Sequence, residues 1–172
     1  MAVILRELTV DDWRALRELR LHALLTERGL FFVAYEDEVE RPESAWIALA
    51  TGDEKHQVFG FFDDGRLIGI SGVFTDSEDP SGGVARLGMS YILPEYRRRG
   101  LGLRLYEARL AWARARPRFV RATVSHRRSN EATRRAIARF GFRWVSDQPH
   151  TWHDGVAEDD VNYELLLRTA GG

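Results

Sequence analysis

Three arginines followed by a Gly-x-Gly pair, at residues 97–102, constrain the fold of this chain more than any other feature of its sequence. The segment separates an alternating apolar stretch from Leu87 to Leu93, typical of a strand, from a helical pattern that begins near Leu101. The first N–H groups of such a helix have no intrahelical acceptor, and the helix dipole gives them partial positive charge. Glycines let a bulky anion approach the main chain. The segment therefore predicts a phosphate-binding turn.

Two common phosphate-binding motifs do not fit this turn. A Walker loop needs a Gly-Lys-Ser/Thr sequence, and none follows the glycines. A dinucleotide-binding fingerprint needs a third glycine and an N-terminal βαβ unit, and both are missing. An ordinary strand-to-helix turn with solvent-facing arginines remains the structural alternative.

The composition favours one soluble domain. With 172 residues, of which 44% are hydrophobic, residues 1–172 are long enough to bury one sizeable core. The absence of cysteine excludes disulfides, thiolate metal sites and a cysteine nucleophile. Charges interrupt every long apolar stretch, and the apolar start is too short for a signal or an anchor. We expect a cytoplasmic protein with no membrane partner.

The net charge of -1 hides a strong asymmetry along the chain. Between Pro94 and Arg143 there are 15 arginines, opposed only by Glu95, Glu107 and Glu131. This basic block suits a polyanion, either a nucleic acid or a small phosphorylated molecule. A nucleic-acid-binding module is the weaker alternative, because the chain lacks interleaved aromatics on a sheet face and any helix-turn-helix or RNA-recognition motif. We expect no nucleic-acid partner.

Hydrophobic periodicity and turn signals predict eleven elements. A Thr9-x-x-Asp12 helix-start signal precedes the first helix, and an Asp-Asp-Gly-Arg turn at 63–66 predicts a hairpin. A right-handed strand-helix-strand crossover places the strand at 119–124 parallel to the strand at 87–93. The predicted strands are 3–8, 58–62, 67–74, 87–93, 119–124, 142–146 and 161–167, and the predicted helices are 13–26, 43–50, 101–116 and 133–140.

With these elements in place, the chain resembles the GNAT superfamily of acyl-CoA-dependent N-acetyltransferases. The family signature of Gln or Arg, two residues, Gly, any residue, then Gly or Ala is met by Arg97, Gly100 and Gly102. Asn130 stands ahead of a helix ending in Gly-Phe at 141–142, as in the family. The last strands, with Asp-Gly at 154–155, most resemble the branch that includes the ribosomal-protein alanine N-acetyltransferases. The resemblance covers nearly the whole chain.

The resemblance implies a fold of the α/β (α+β) class. Its centre is a mixed, mostly antiparallel sheet of about seven strands. The fourth and fifth strands form a splayed parallel pair, and about four helices surround the sheet.

The resemblance also implies acetyl-CoA as cofactor, with its pyrophosphate on the N–H groups of the glycine turn. The pantetheine arm lies along the strand edge where the pair splays, and an N–H near Ile92 stabilises the oxyanion. Asn130 helps to hold the arm, or serves as a helix N-cap. The implied cofactor-binding residues are Tyr91, Ile92, Leu93, Arg97, Arg98, Arg99, Gly100, Leu101, Gly102, Leu103 and Asn130.

The implied reaction is direct attack of a neutral primary amine, from a small molecule or a peptide N-terminus, on the acetyl thioester. The amine must first lose a proton, so a base or a water chain is needed. Many family members have Glu on the strand before the phosphate turn, and Arg86 and Ser90 stand at these positions here. Many also have a Tyr that protonates the departing thiolate, and Ile137 stands at that position. The catalytic candidates are Glu36, Ser90, Tyr91 and His126.

These replacements keep a second alternative open, an acyl-CoA-binding sensor without transferase activity. We expect no metal, because His150 and His153 have a spacing that suggests ligation but lack a third ligand nearby. Two-fold dimerisation is common among such proteins, and a homodimer stays open.

Overall fold

A computed structural model describes residues 3–168, in which a seven-stranded sheet is combined with five α-helices. The strands are β1 (Ile4–Glu7), β2 (His56–Asp63), β3 (Arg66–Thr75), β4 (Val84–Ile92), β5 (Arg121–Arg127), β6 (Arg143–Gln148) and β7 (Asp160–Leu166). The helices are α1 (Trp13–Thr26), α2 (Tyr35–Val39), α3 (Glu43–Thr51), α4 (Leu101–Arg114) and α5 (Glu131–Arg139). No helix in this part of the chain is long and apolar enough to cross a membrane.

The sheet has the order β1-β2-β3-β4-β5-β7-β6. Every neighbouring pair is antiparallel except β4 and β5, which are parallel and joined through α4. The predicted mixed sheet and its parallel pair are therefore confirmed. A helix is required between these two strands, because parallel neighbours need a crossover connection.

The helices differ from the prediction in number and in bounds. The short helix α2 was not predicted, because five residues rich in Glu and Asp read as a solvated loop. Its Glu38 is buried beside Arg20 of α1, with 3.6 Å between Glu38 Oε2 and Arg20 Nε, so a tertiary contact accompanies the turn. Helix α5 begins two residues earlier than predicted, because Asn130 Oδ1 accepts the Thr133 N–H at 3.2 Å and caps it.

Helices α1 and α4 pack on opposite faces of the sheet. Adjacent residues of a strand point to opposite faces. The Ser90 hydroxyl of β4 lies 3.2 Å from Nη1 of Arg109 on α4, whereas the Tyr91 ring lies 6.1 Å from the His22 ring on α1. We call the two sides the α4 face and the α1 face.

Apolar stripes on the helices account for the packing on both faces. Helix α1 buries Leu16, Leu19 and Ala23, which recur at helical spacing, and α4 buries Leu105 and Leu110. Thr9 and Asp12 form the predicted helix-start signal, with the Thr9 N–H 2.8 Å from Asp12 Oδ2. The buried apolar side chains form one continuous cluster across the sheet.

Candidate active site

A gap opens in the sheet between β4 and β5. Only three residues of each strand are paired, from Val84 with Arg121 to Arg86 with Thr123. Beyond this point β4 stays paired to β3 and β5 stays paired to β7, so the two strands diverge. The prediction of a splayed pair is confirmed by this register. The divergence leaves strand edges whose N–H and C=O groups need other partners.

A kink in β4 accompanies the gap. Met89 has a φ of +63°, which is unusual for a side chain other than glycine. The β3–β4 register shifts at the same level, between Ile70 and Gly72, as in a β-bulge. Bulges of this kind re-aim a strand next to active sites.

A cavity of about 440 Å³ runs through the gap from one face of the sheet to the other. Its α4 side is lined by Gly102, Leu105, Tyr106 and Arg109, and its α1 side by Arg20 and the segment 30–33. The edges of β4 and β5 form the remaining walls. A molecule in this cavity can therefore contact both faces of the sheet.

The predicted phosphate turn lies at one end of this cavity. Gly100 is the N-cap of α4 and has a φ of +76°, while Arg98 has a φ of +60°. A Cβ at either Gly100 or Gly102 would meet no atom within 4 Å. Left-handed residues before a helix N-terminus turn successive N–H groups to one side, which is the form of an anion-binding nest.

The arginines of the turn have different environments. Arg97 holds the turn to its surroundings, because its Nη2 lies 2.6 Å from Glu27 Oε1 and its Nε donates to the Ile92 carbonyl at 2.8 Å. Arg99 donates to the Glu95 carbonyl at 2.8 Å. Arg98 is exposed. Arg98 and Arg99 therefore lie at the surface of the turn, whereas Arg97 connects it to the α1 side.

The edge of β4 presents one amide to the gap. The Leu93 N–H donates to the Ile68 carbonyl at 2.9 Å, and in an antiparallel ladder alternate residues face the same neighbour. Tyr91 and Leu93 therefore bond toward β3, while the N–H and C=O of Ile92 turn toward the gap. The Ile92 carbonyl accepts from Arg97, which leaves the Ile92 N–H for a ligand.

Three of the four predicted catalytic candidates line the cavity, namely Ser90, Tyr91 and His126. The Ser90 hydroxyl lies 2.6 Å from the Ser71 hydroxyl. The fourth candidate, Glu36, does not line it. Its exposed carboxylate is paired with Arg28 at 2.7 Å, and this hydrogen bond lowers the pKa of Glu36.

His126 is buried on the α4 face of β5. Its Nδ1 lies 2.7 Å from the Arg127 carbonyl, so Nδ1 carries the proton, because a carbonyl can only accept. Its Nε2 lies 3.4 Å from the Tyr163 hydroxyl, and the two rings stack with centroids 5.4 Å apart. The neighbouring Asn130 also lines the cavity, while Ile137 is fully buried in the core.

Three buried ionisable residues were missed in the sequence, and two of them line the cavity. Arg109 and Arg20 line it from opposite faces and are 1% and 5% exposed. Asp160 is 6% exposed, and its Oδ1 has no hydrogen-bond partner. Burial raises the pKa of Asp160, although Ser125 and Asn162 lower it by hydrogen bonding. An arginine inside the apolar stripe of α4 was the only available sequence signal for any of them.

Asp160 belongs to the α1 face. It pairs with Arg127, and directly paired residues point to the same face. Arg127 donates to the Gly29 carbonyl after α1 at 3.1 Å and forms ion pairs with Asp154 and Glu158. Arg127 thus connects β5, the segment after α1 and the loop before β7 around the α1-side mouth of the cavity.

Aromatic side chains form part of the same mouth. The Phe32 ring lies 4.9 Å from the His150 ring and 5.2 Å from the Trp152 ring. Phe32 is 47% exposed, whereas Trp152 is 2% exposed. No group of three or more His, Asp or Glu side chains that could hold a metal ion occurs within residues 3–168.

Five of the fifteen arginines of the basic block form ion pairs with acidic residues outside the block. Ion pairs connect Arg97 to Glu27, Arg116 to Glu54, Arg121 to Glu164, Arg127 to Asp154 and Glu158, and Arg128 to Asp147 and Asp159. Part of the charge asymmetry along the chain is therefore compensated by contacts in the fold.

Known protein families and solved structures agree with the fold and the geometry of the site. The model of the acetyltransferase (GNAT) family matches residues 7–142. A search of curated protein sequences finds no match.

Solved structures share the fold over nearly the whole chain. A GNAT-family acetyltransferase from Streptococcus pneumoniae has a TM-score of 0.79 at 19% identity, covering 96% of this chain and 99% of that chain. The structure of yncA from Salmonella typhimurium, solved with its cofactor acetyl-CoA, has a TM-score of 0.80 at 17% identity, covering 100% of this chain and 98% of that chain. The ribosomal-protein-S18-alanine N-acetyltransferase from Escherichia coli has a TM-score of 0.69 at 20% identity, covering 99% of this chain and 97% of that chain. At these identities the likeness concerns the fold.

Proposed function

The chain belongs to the acetyltransferase (GNAT) family, and we propose that it transfers the acetyl group of acetyl-CoA to the primary amine of a small molecule or a peptide N-terminus. The observation that carries this proposal is the gap between β4 and β5, which is continuous with the turn before α4. The acetyl-CoA bound to the Salmonella yncA protein supports the same cofactor here.

The residues of the turn fit the diphosphate of acetyl-CoA. The open space above Gly100 and Gly102 admits a phosphate, and the first amides of α4 supply donors. Arg98 and Arg99 add positive charge at the surface of the turn. Tyr91, Ile92 and Leu93 would hold the pantetheine arm, and Asn130, which lines the cavity and caps α5, would border it.

Acetyl-CoA supplies an activated acetyl thioester, and the chain positions an amine against it. The Ile92 N–H, turned toward the gap, is placed to stabilise negative charge on the carbonyl oxygen. The amine enters from the α1 face, between the aromatic mouth and Arg20. Ser90 and His126 lie on the α4 face and border the arm.

The proton of an ammonium acceptor needs a base on the α1 face. The pKa of a lysine side chain is about 10 and that of an α-amine about 8, so both are mostly protonated near neutral pH. Asp160 is a buried carboxylate on that face and forms no ion pair within residues 3–168. Its raised pKa makes it a better proton acceptor than an ordinary aspartate. We assign proton removal to Asp160, acting through Ser125 or a water molecule.

Calorimetry with acetyl-CoA followed by a thiol-release assay over a panel of amines tests the proposed function. We expect micromolar binding of acetyl-CoA and turnover with at least one small amine or N-terminal peptide. Absence of binding overturns the cofactor assignment. Binding without turnover of any amine favours the acyl-CoA sensor, for which Ile137 and Arg86 at the usual catalytic positions are the supporting observation.

A further inference from the structure

Arg109 carries a buried positive charge that no acid neutralises. Its side chain is 1% exposed, and it forms no ion pair with any residue that the structure describes. Nε donates to the Leu105 carbonyl at 3.2 Å, and Nη1 donates to the Ser90 hydroxyl at 3.2 Å. Nη2 is buried without a hydrogen-bond partner. Arg109 therefore has an unused donor in a site of uncompensated positive charge.

The neighbours of this guanidinium are neutral. Its Cζ lies 4.4 Å from the centre of the Tyr106 ring, and Ser90 is hydrogen-bonded in turn to Ser71. Across the cavity the titratable side chains of the α4 face are His126 and its partner Tyr163. Burial lowers the pKa of Arg109, but a guanidinium stays charged at neutral pH. A buried charge without a counterion is unfavourable, so an anion entering the cavity is attracted to it.

The position of Arg109 along α4 relates it to the predicted path of the cofactor. Gly102, Leu105, Tyr106 and Arg109 line the cavity from one side of the helix. Gly102 belongs to the phosphate turn, and Arg109 follows it by seven residues, about 10 Å along the helix axis. Through Ser90 it contacts β4 two residues before Ile92, at the kink. Arg109 therefore lies at the end of the arm that carries the thioester.

We propose that Arg109 stabilises the thiolate of coenzyme A as it leaves, an inference that rests on the proposed acetyltransferase function. The amine nitrogen forms a bond to the acetyl carbon, and the carbon–sulfur bond breaks. The electron pair of that bond stays on sulfur as a thiolate, which accepts hydrogen bonds from Arg109. The proton of the amine passes to Asp160 on the α1 face, through Ser125 or a water molecule.

This assignment accounts for the missing acid. The family's usual proton donor is replaced by Ile137, which is fully buried in the core. A thiol has a pKa of about 8.5, so a nearby positive charge makes proton donation to sulfur unnecessary at neutral pH. An opposite charge within a few ångströms shifts such a pKa by about 1 to 3 units.

The pH dependence of coenzyme A binding tests the role of Arg109 without any turnover. Coenzyme A is compared with desulfo-coenzyme A, which has the same arm and phosphates but no thiol. We expect the ratio of their affinities to rise as pH passes a thiol pKa at least about one unit below 8.5. In Arg109→Met we expect the bound thiol to have a pKa of about 8.5 or above, so the ratio no longer rises with pH. Arg104→Met, at an exposed site on the same helix, is the matched control and leaves the midpoint unchanged.

The outcomes separate this inference from the proposed function. An unshifted thiol pKa in the wild-type protein, or the same midpoint in Arg109→Met, overturns the role of Arg109 while desulfo-coenzyme A binding still supports the cofactor site. Loss of desulfo-coenzyme A binding in the wild-type protein overturns the proposed function instead. Ultraviolet absorbance of the bound thiolate in the wild-type protein gives the pKa directly, so the test does not depend on the folding of a variant.

Discussion

Replacing Gly100 by Asp separates coenzyme A binding from folding. Gly100 and Gly65 have φ values of +76° and +78°, and a Cβ at either position meets no atom within 4 Å. The same substitution at both sites therefore introduces the same left-handed strain, about 1 to 2 kcal/mol. For a protein of this size we expect each variant to lose about 2 to 4 °C in Tm per kcal/mol. Gly65, in the β2–β3 hairpin turn, is the matched control.

Only the change at Gly100 places a negative charge in the phosphate turn. A carboxylate about 5 Å from one phosphate charge, at an effective dielectric constant of about 20, is repelled by about 3 kcal/mol. We therefore expect the Kd for coenzyme A to rise about 100-fold in Gly100→Asp and to stay unchanged in Gly65→Asp. Gly100→Asn has nearly the same shape without the charge, so its smaller loss of affinity measures the steric part.

Isothermal titration calorimetry at two salt concentrations distinguishes these contributions. The difference between Gly100→Asp and Gly100→Asn shrinks at high salt, because screening weakens charge repulsion at an exposed site. If Gly100→Asp binds coenzyme A within about threefold of the wild type, a difference below about 1 kcal/mol, the turn does not hold the diphosphate. Equal losses of coenzyme A affinity in Gly100→Asp and Gly65→Asp would show that both substitutions act by destabilising the fold.

Three further substitutions test the electrostatics of the fold. Arg109→Met removes a buried charge that has no acid partner, so we expect unchanged or higher thermal stability together with a lower kcat, and a clear fall in Tm would contradict this reading. Asp160→Asn removes a carboxylate whose pKa is raised in the folded state, so its gain in Tm appears above the unfolded pKa of about 3.9 and vanishes below it, while the acidic limb of kcat/KM is lost; an unchanged pH–rate profile excludes Asp160 as base. Asp12 has its pKa lowered by Arg6 and by Thr9, so Asp12→Asn costs about 1 kcal/mol at neutral pH, and chemical denaturation must show this cost fading as pH falls through the lowered pKa.

The sheet and the glycine turn before α4 were predictable because their signals are local. Alternation between Leu87 and Leu93 predicted β4, and the crossover rule predicted its parallel neighbour. The N-cap of α4 has a left-handed backbone conformation, and the glycine at position 100 is enough to indicate it. The end of pairing after Arg86 is a property of two strands together, and it was expected only through resemblance to a family.

The remaining parts of the site depend on contacts between distant residues. The five residues of α2 have no periodicity of their own, and Glu38 is buried because Arg20 lies beside it. In the sequence Arg109 cannot be distinguished from the other arginines, and only the fold shows that it is buried without a counterion. Asp160 follows an acidic loop and differs from its neighbours only after β7 pairs with β5. Burial, which shifts the pKa of Arg109 and of Asp160, cannot be read from any local sequence pattern.

The gap between β4 and β5 joins the two faces of the sheet in one cavity. Residues on the two faces can therefore change independently during evolution. Under the proposed function, residues around α4 and the glycine turn would contact acetyl-CoA, which is the same for every acceptor. Arg20, Phe32 and the loop held by Arg127 line the other side of the cavity and would contact the acceptor. New acceptors can therefore be recruited by altering one side alone. Substitutions beneath α1 should change KM for the amine, and substitutions beneath α4 should change KM for acetyl-CoA.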